Sequence, residues 1–142
     1  MIIDNNLEMS NKQTLAISVG NVASTDTIDL VKAGIGRGTP VKVLCQITTD
    51  LDSQADNTTL LVKLQTCAAE DFGSNVVDLV TTAALAQTVC VAGYKPIECY
   101  LPENTLQYLR MYYTIGVADC TAGNIEAGLI IDNQSNKQSV WA

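Results

Sequence analysis

A chain of 142 residues is the size of one domain and long enough to bury a core of its own. Hydrophobic residues at 47 % exclude wholesale disorder. Charged residues at 16 % fall below the roughly 25 % usual for soluble proteins, so neutral polar side chains must cover much of the surface. Fifteen acids against eight bases, with no histidine, give a net charge of −7; that opposes the counterion release by which proteins grip phosphates, and no nucleic-acid partner is expected.

Residues 1–13 read as an N-terminal arm in which Ile2, Ile3, Leu7 and Met9 punctuate a polar, non-periodic stretch. The opening Met1-Ile2-Ile3-Asp4-Asn5-Asn6 lacks a basic region followed by an apolar one, so export through a signal peptide is not expected. No apolar run approaches the roughly 20 residues that span a bilayer, and no membrane partner is expected. Period-two alternation then predicts strands over 14–19 (Leu15, Ile17 and Val19 inward), 25–30 (Ile28 and Leu30) and 41–48 (Val41, Val43, Cys45 and Ile47). A polar turn over 50–58 leads to a strand over 59–66, and the β-branched content of 76–82 predicts another. The alanine-rich stretch 83–90, stopping before Gly93, suits a short helical turn. Alternation resumes over 94–101, where Pro96 and Pro102 confine the strand to an edge or to strand ends.

The clearest segment follows. Over 108–116, Leu109, Met111, Tyr113 and Ile115 share one parity and Tyr108, Arg110, Tyr112 and Thr114 the other. Over 123–132, Ile125, Ala127, Leu129 and Ile131 share the inward parity, and the two stretches together read as a β-hairpin. About eight short strands at this spacing, with no long helix, make the chain all-β, a sandwich or a barrel occupying 14–132, with a polar C-terminal tail over 133–142 that ends in Val140-Trp141-Ala142.

Cys45, Cys67, Cys90, Cys99 and Cys120 are odd in number, widely spaced and without a C-x-x-C pair, the pattern of reduced structural thiols. Gly34-Ile35-Gly36-Arg37-Gly38 has the glycines of a phosphate cradle but runs into a strand where a dinucleotide fingerprint opens a helix, so it reads as a structural turn. Asp50, Asp52 and Asp56 resemble the start of a calcium loop, yet Ala55 stands where a tight turn wants Gly and Leu61 where a bidentate Glu is needed. No metal and no cofactor are expected. Without histidine the commonest general base is missing; Glu98, Glu103, Glu126 and Asp132 could in principle form carboxylate pairs, but the chain is poor in the aromatics that line sugar clefts, and no enzyme is expected.

What remains is adhesion. Tyr108 and Tyr112 flank Arg110 on the outward face, the residue types enriched at protein interfaces; the competing reading is that a second sheet covers that face. Trp141, in a polar tail, forgoes a large burial unless it docks on its own core or on a neighbouring subunit, and Ile2 and Ile3 invite the same reasoning.

Gly93-Tyr94, Tyr100-Leu101-Pro102-Glu103-Asn104, the whole of 108–116 and Ala127-Gly128-Leu129-Ile130-Ile131-Asp132, with Met1-Ile2-Ile3-Asp4 and Thr27-Ile28-Asp29-Leu30, resemble a family of tailed-bacteriophage capsid cement proteins whose best-known relatives come from a Bordetella phage. The resemblance implies a jelly-roll-like β-sandwich with extended N- and C-terminal arms, located on the capsid exterior of a virion assembled in the host bacterial cytoplasm. Its implied partners are a major capsid protein of HK97-like fold, whose neighbouring capsomers it would bridge, and itself, as a dimer or trimer. Ile2, Ile3, Leu7, Trp141 and the Tyr108, Arg110 and Tyr112 face could supply the contacts. A carbohydrate-binding jelly-roll module on the virion and a tail or baseplate component are the alternatives.

Overall fold

The computed structural model describes residues 4–33 and 41–131. Among the described residues ten strands follow a 3-10 turn at Asn5–Leu7: β1 (Glu8–Thr14), β2 (Gly20–Ala23), β3 (Ile28–Asp29), β4 (Lys42–Asp52), β5 (Thr59–Cys67), β6 (Val77–Thr81), β7 (Leu85–Ala86), β8 (Ile97–Tyr100), β9 (Tyr108–Gly116) and β10 (Ala122–Ile130). They form two antiparallel sheets. The first runs β1-β10-β4-β8; the second runs β2-β9-β5-β6, with β3 also on β9 and β7 also on β5. Counting β2 with β3 and β6 with β7 as interrupted strands leaves eight, ordered 1-8-3-6 in one sheet and 2-7-4-5 in the other, the double Greek-key order of a jelly roll.

The strand parity predicted for 108–116 holds in full: Leu109, Met111, Tyr113 and Ile115 are buried, and the residues between them are half-buried on the outer face. The hairpin does not hold. β9 pairs with β2, β3 and β5, whereas β10 pairs with β1 and β4 in the opposite sheet. Residues 117–121 therefore cross the edge of the sandwich, and their backbone groups bond outside a hairpin ladder: Cys120 N–H donates to Ile17 O at 3.0 Å, and Thr121 N–H to Asp52 O at 2.8 Å. Thr58 Oγ1 donates to Ala118 O at 2.8 Å. Ile131 lies beyond β10 and is 72 % exposed, not inward.

Other boundaries shift for related reasons. Leu15 is buried, but 15–19 is not a strand: Leu15 N–H bonds Gly123 O, and Ile17 N–H turns back to Leu15 O. The strands expected over 25–30 and 94–101 shrink to β3 and β8, the latter on the sheet edge that its flanking prolines favour. Within 83–90 the chain first pairs as β7 and then makes one turn, with Val89 and Cys90 N–H both donating to Ala86 O. Residues 8–13, read as part of an arm, form with Thr14 the edge strand β1, kinked by register shifts, with Met9 and Ser10 fully buried.

The core fills the gap between the sheets. Val43, Cys45 and Ile47 of β4, with Ile125, Ala127 and Leu129 of β10, face Leu60, Val62 and Leu64 of β5 and the inner row of β9. All five cysteines are free thiols, four of them buried. Among the described residues no helix is long and apolar enough to cross a membrane.

Candidate functional site

The outward residues of β9 stand beside those of β5: Tyr112 opposite Lys63, Arg110 opposite Gln65, Tyr108 opposite Cys67. Among the described residues no second sheet covers them. Instead, the loop between β5 and β6 folds back over this face. Cys67 anchors it, with Sγ donating to Ser74 O at 3.2 Å, and Phe72, in the left-handed region at φ 51°, is only 7 % exposed. Its ring centre lies 4.2 Å from the Arg110 guanidinium carbon, and the Tyr112 ring centre lies 5.0 Å from the same atom, distances at which a cation is attracted to an aromatic face.

A polar chain fixes the guanidinium from the side. Arg110 Nε donates to Gln65 Oε1 at 2.9 Å, Gln65 Nε2 donates to Asp78 Oδ1 at 2.8 Å, and Lys63 Nζ meets Asp78 Oδ2 at 2.9 Å. The hydrogen bonds from Lys63 and then Gln65 hold the Asp78 carboxyl below the usual carboxylate range. At the other end of the strip Gln107 Nε2 donates to Tyr108 Oη at 3.2 Å and to Asp29 Oδ1 at 3.1 Å. Partial burial, and then the charges of Asp29 and Glu70, push the Tyr108 hydroxyl up. The strip thus runs from a region of negative charge at Tyr108, through Arg110, to the Lys63–Asp78 pair.

The structure brings Tyr108, Arg110 and Tyr112 together on one face, as their shared parity requires. Leu7 is elsewhere, half-buried and packed against the sandwich core. Ile2, Ile3, Trp141 and the glycine-rich loop at 34–38 lie outside the described residues. Asp132 lies outside them too, while Asp50 spends Oδ1 on Ala92 N–H at 2.6 Å and Asp52 spends Oδ1 on Ser53 N–H at 2.9 Å.

Phe72 and Gln65 are part of this site, and alternation alone does not find them. Phe72 has a signal in the sequence: it is the single phenylalanine, set in the polar run Ala-Ala-Glu-Asp-Phe-Gly-Ser-Asn, and the burial argument applied to Trp141 applies equally to it.

No curated protein matches the chain. A family model, Bbp16, matches residues 9–129, which takes in every strand of both sheets except the first residue of β1 and the last of β10. The chain belongs to the Bbp16 family of Bordetella phage proteins and is a phage virion protein.

Proposed function

We propose that the chain is a capsid cement protein, which binds the outer surface of a phage shell and bridges neighbouring capsomers of a major capsid protein of HK97-like fold. It acts without catalysis, as a homo-oligomer, and contacts neither nucleic acid nor membrane. The observation that carries this reading is the strip on β9: an arginine stacked on Phe72 and Tyr112 and tied to Gln65, presented by a rigid sheet. Aromatic and arginine side chains held in one conformation are the anchors of protein interfaces, since little side-chain entropy is left to lose on docking. Many such contacts repeated over a symmetric shell need only be modest individually.

The test is cosedimentation of the purified chain with undecorated shells of its own phage, followed by heating of decorated and bare shells. Saturable binding and a higher disruption temperature are expected. Absence of binding to shells, with binding to glycans on an array or copurification with tails, would replace this reading by the carbohydrate or the tail one.

A further inference from the structure

We propose that Arg110 seats a single carboxylate side chain of the shell protein, an inference that rests on the cementing role above and names the chemistry of its contact. A guanidinium carries five N–H donors in a planar fork matched to a carboxylate. Here the Nε donor is spent on Gln65. The four Nη donors bond no acceptor among the described residues. They are not entombed either, because the buried side-chain polar atom left without a partner there is Thr48 Oγ1. The Nη pair, which can still grip both oxygens of a carboxylate end-on, is left without an acceptor among the described residues and reaches solvent.

Arg110 also stands without a carboxylate partner among the described residues, in a protein with nearly twice as many acids as bases. The carboxylate that could neutralise it, Asp78, is held one residue away by Gln65, whose amide accepts from Arg110 on one side and donates to Asp78 on the other. Lys63 takes the remaining Asp78 oxygen, and no ion pair among the described residues takes up Arg110. Gln65 is 7 % exposed, so this spacing is built in.

A polyanion is a poor fit, because Asp29 and Glu70 beside Tyr108 would repel its further charges. One carboxylate is not so penalised. The cementing role above makes the shell protein the source of that carboxylate, and the same group on a second copy of this chain is a separate outcome of the test.

Three proteins are compared on undecorated shells: the wild type, Arg110→Ala and Arg110→Lys, each checked for an unchanged unfolding midpoint. Arg110→Ala should weaken binding roughly 10- to 100-fold and flatten its dependence on salt. Arg110→Lys should retain part of the affinity, because it restores charge without the fork. When shells decorated with Arg110→Lys are treated with a water-soluble carbodiimide, the new ammonium should condense with the docked carboxylate. The amine nitrogen forms an amide bond to the acyl carbon, and the carbodiimide leaves as its urea, having taken up the elements of water. Mass spectrometry should then find residue 110 joined to an Asp or Glu of the shell protein.

Wild-type binding that Arg110→Ala leaves unchanged overturns this inference and spares the cementing role. An adduct to a second copy of this chain, or no adduct from fully decorated shells, also overturns it. Failure of the wild type itself to bind overturns the role on which it rests.

Discussion

Ser10 Oγ and Tyr113 Oη lie 2.8 Å apart in the buried interior, joining the edge strand β1 of one sheet to the central strand β9 of the other. Ser10 gives its one proton to Gln13 Oε1 at 2.8 Å, so the tyrosine is the donor and Ser10 the acceptor. Gln13 in turn accepts from Thr25 N–H and donates to Ala23 O. Ser10→Ala should cost about 1–3 kcal/mol, since it strands a buried hydroxyl, and Tyr113→Phe about 1 kcal/mol. The double variant should cost less than the two combined, by about 1 kcal/mol of coupling. Urea titrations of the four proteins measure this; strict additivity would mean that the contact contributes nothing.

Burial of the thiols makes stability fall in alkali. Burial pushes the Cys45 thiol far above its ordinary value near 9.0, and the Tyr113 hydroxyl well above its own, while burial and then the neighbouring Cys120 push Cys90 up to about 11. Above pH 9 the unfolded chain loses these protons and the folded chain keeps them, so the stability present below pH 9 is progressively lost. The slope should approach about 1.4 kcal/mol per pH unit for fully buried Cys45, with a further share from Cys90 that ends near pH 11. Urea midpoints under reducing conditions should be flat from pH 7 to 8.5 and decline beyond. Cys45→Ala, though less stable at pH 7, should show the shallower decline, and an identical slope would contradict the assignment.

Alternation in 108–116 reads directly onto burial because a strand has period two whatever it pairs with. Pairing is another matter. Leu109 and Ile125 both point into the core, and they would do so as neighbours in a hairpin or, as found, on opposite sheets. What separates the cases is the path of 117–121, whose backbone partners Ile17 and Asp52 are remote in sequence. The site divides the same way: the shared face of Tyr108, Arg110 and Tyr112 follows from local parity. The seat beneath Arg110 depends on a loop folding back to bury Phe72 and on a register shift between Leu64 and Gln65 that brings Asp78 alongside, and neither leaves a local pattern.

The crossover itself is strained. Ala118 N–H donates to Gly116 O at 2.8 Å, closing a three-residue γ-turn around Val117, which sits at φ 68°. That conformation is a genuine outlier for a β-branched residue. Val117 is 70 % exposed, so little packing opposes its removal. Val117→Gly should stabilise the fold by about 1 kcal/mol, the relieved strain exceeding the added freedom of the unfolded chain. A rise in the thermal midpoint checks this; a fall would show that the valine side chain holds the turn.

The N-terminal segment separates folding from adhesion. Read from sequence as an arm that could strap the protein to a neighbour, it contains Met9, fully buried, and the start of β1, whose Glu8 and Ser10 pair with Gly128 and Ala127 of β10. Deleting residues 1–9 therefore removes a core side chain along with any strap. It should cost at least the roughly 2–5 kcal/mol of a buried methionine truncated to alanine, with further loss from the exposed edge of β10. Deleting residues 1–3 removes Ile2 and Ile3 and leaves every described contact in place, so its thermal midpoint should match the full chain. If these isoleucines grip the shell, the shorter deletion lowers decoration at unchanged stability. If decoration by the shorter deletion equals that of the full chain, the N-terminus serves the sandwich alone and adhesion falls to the face around Arg110.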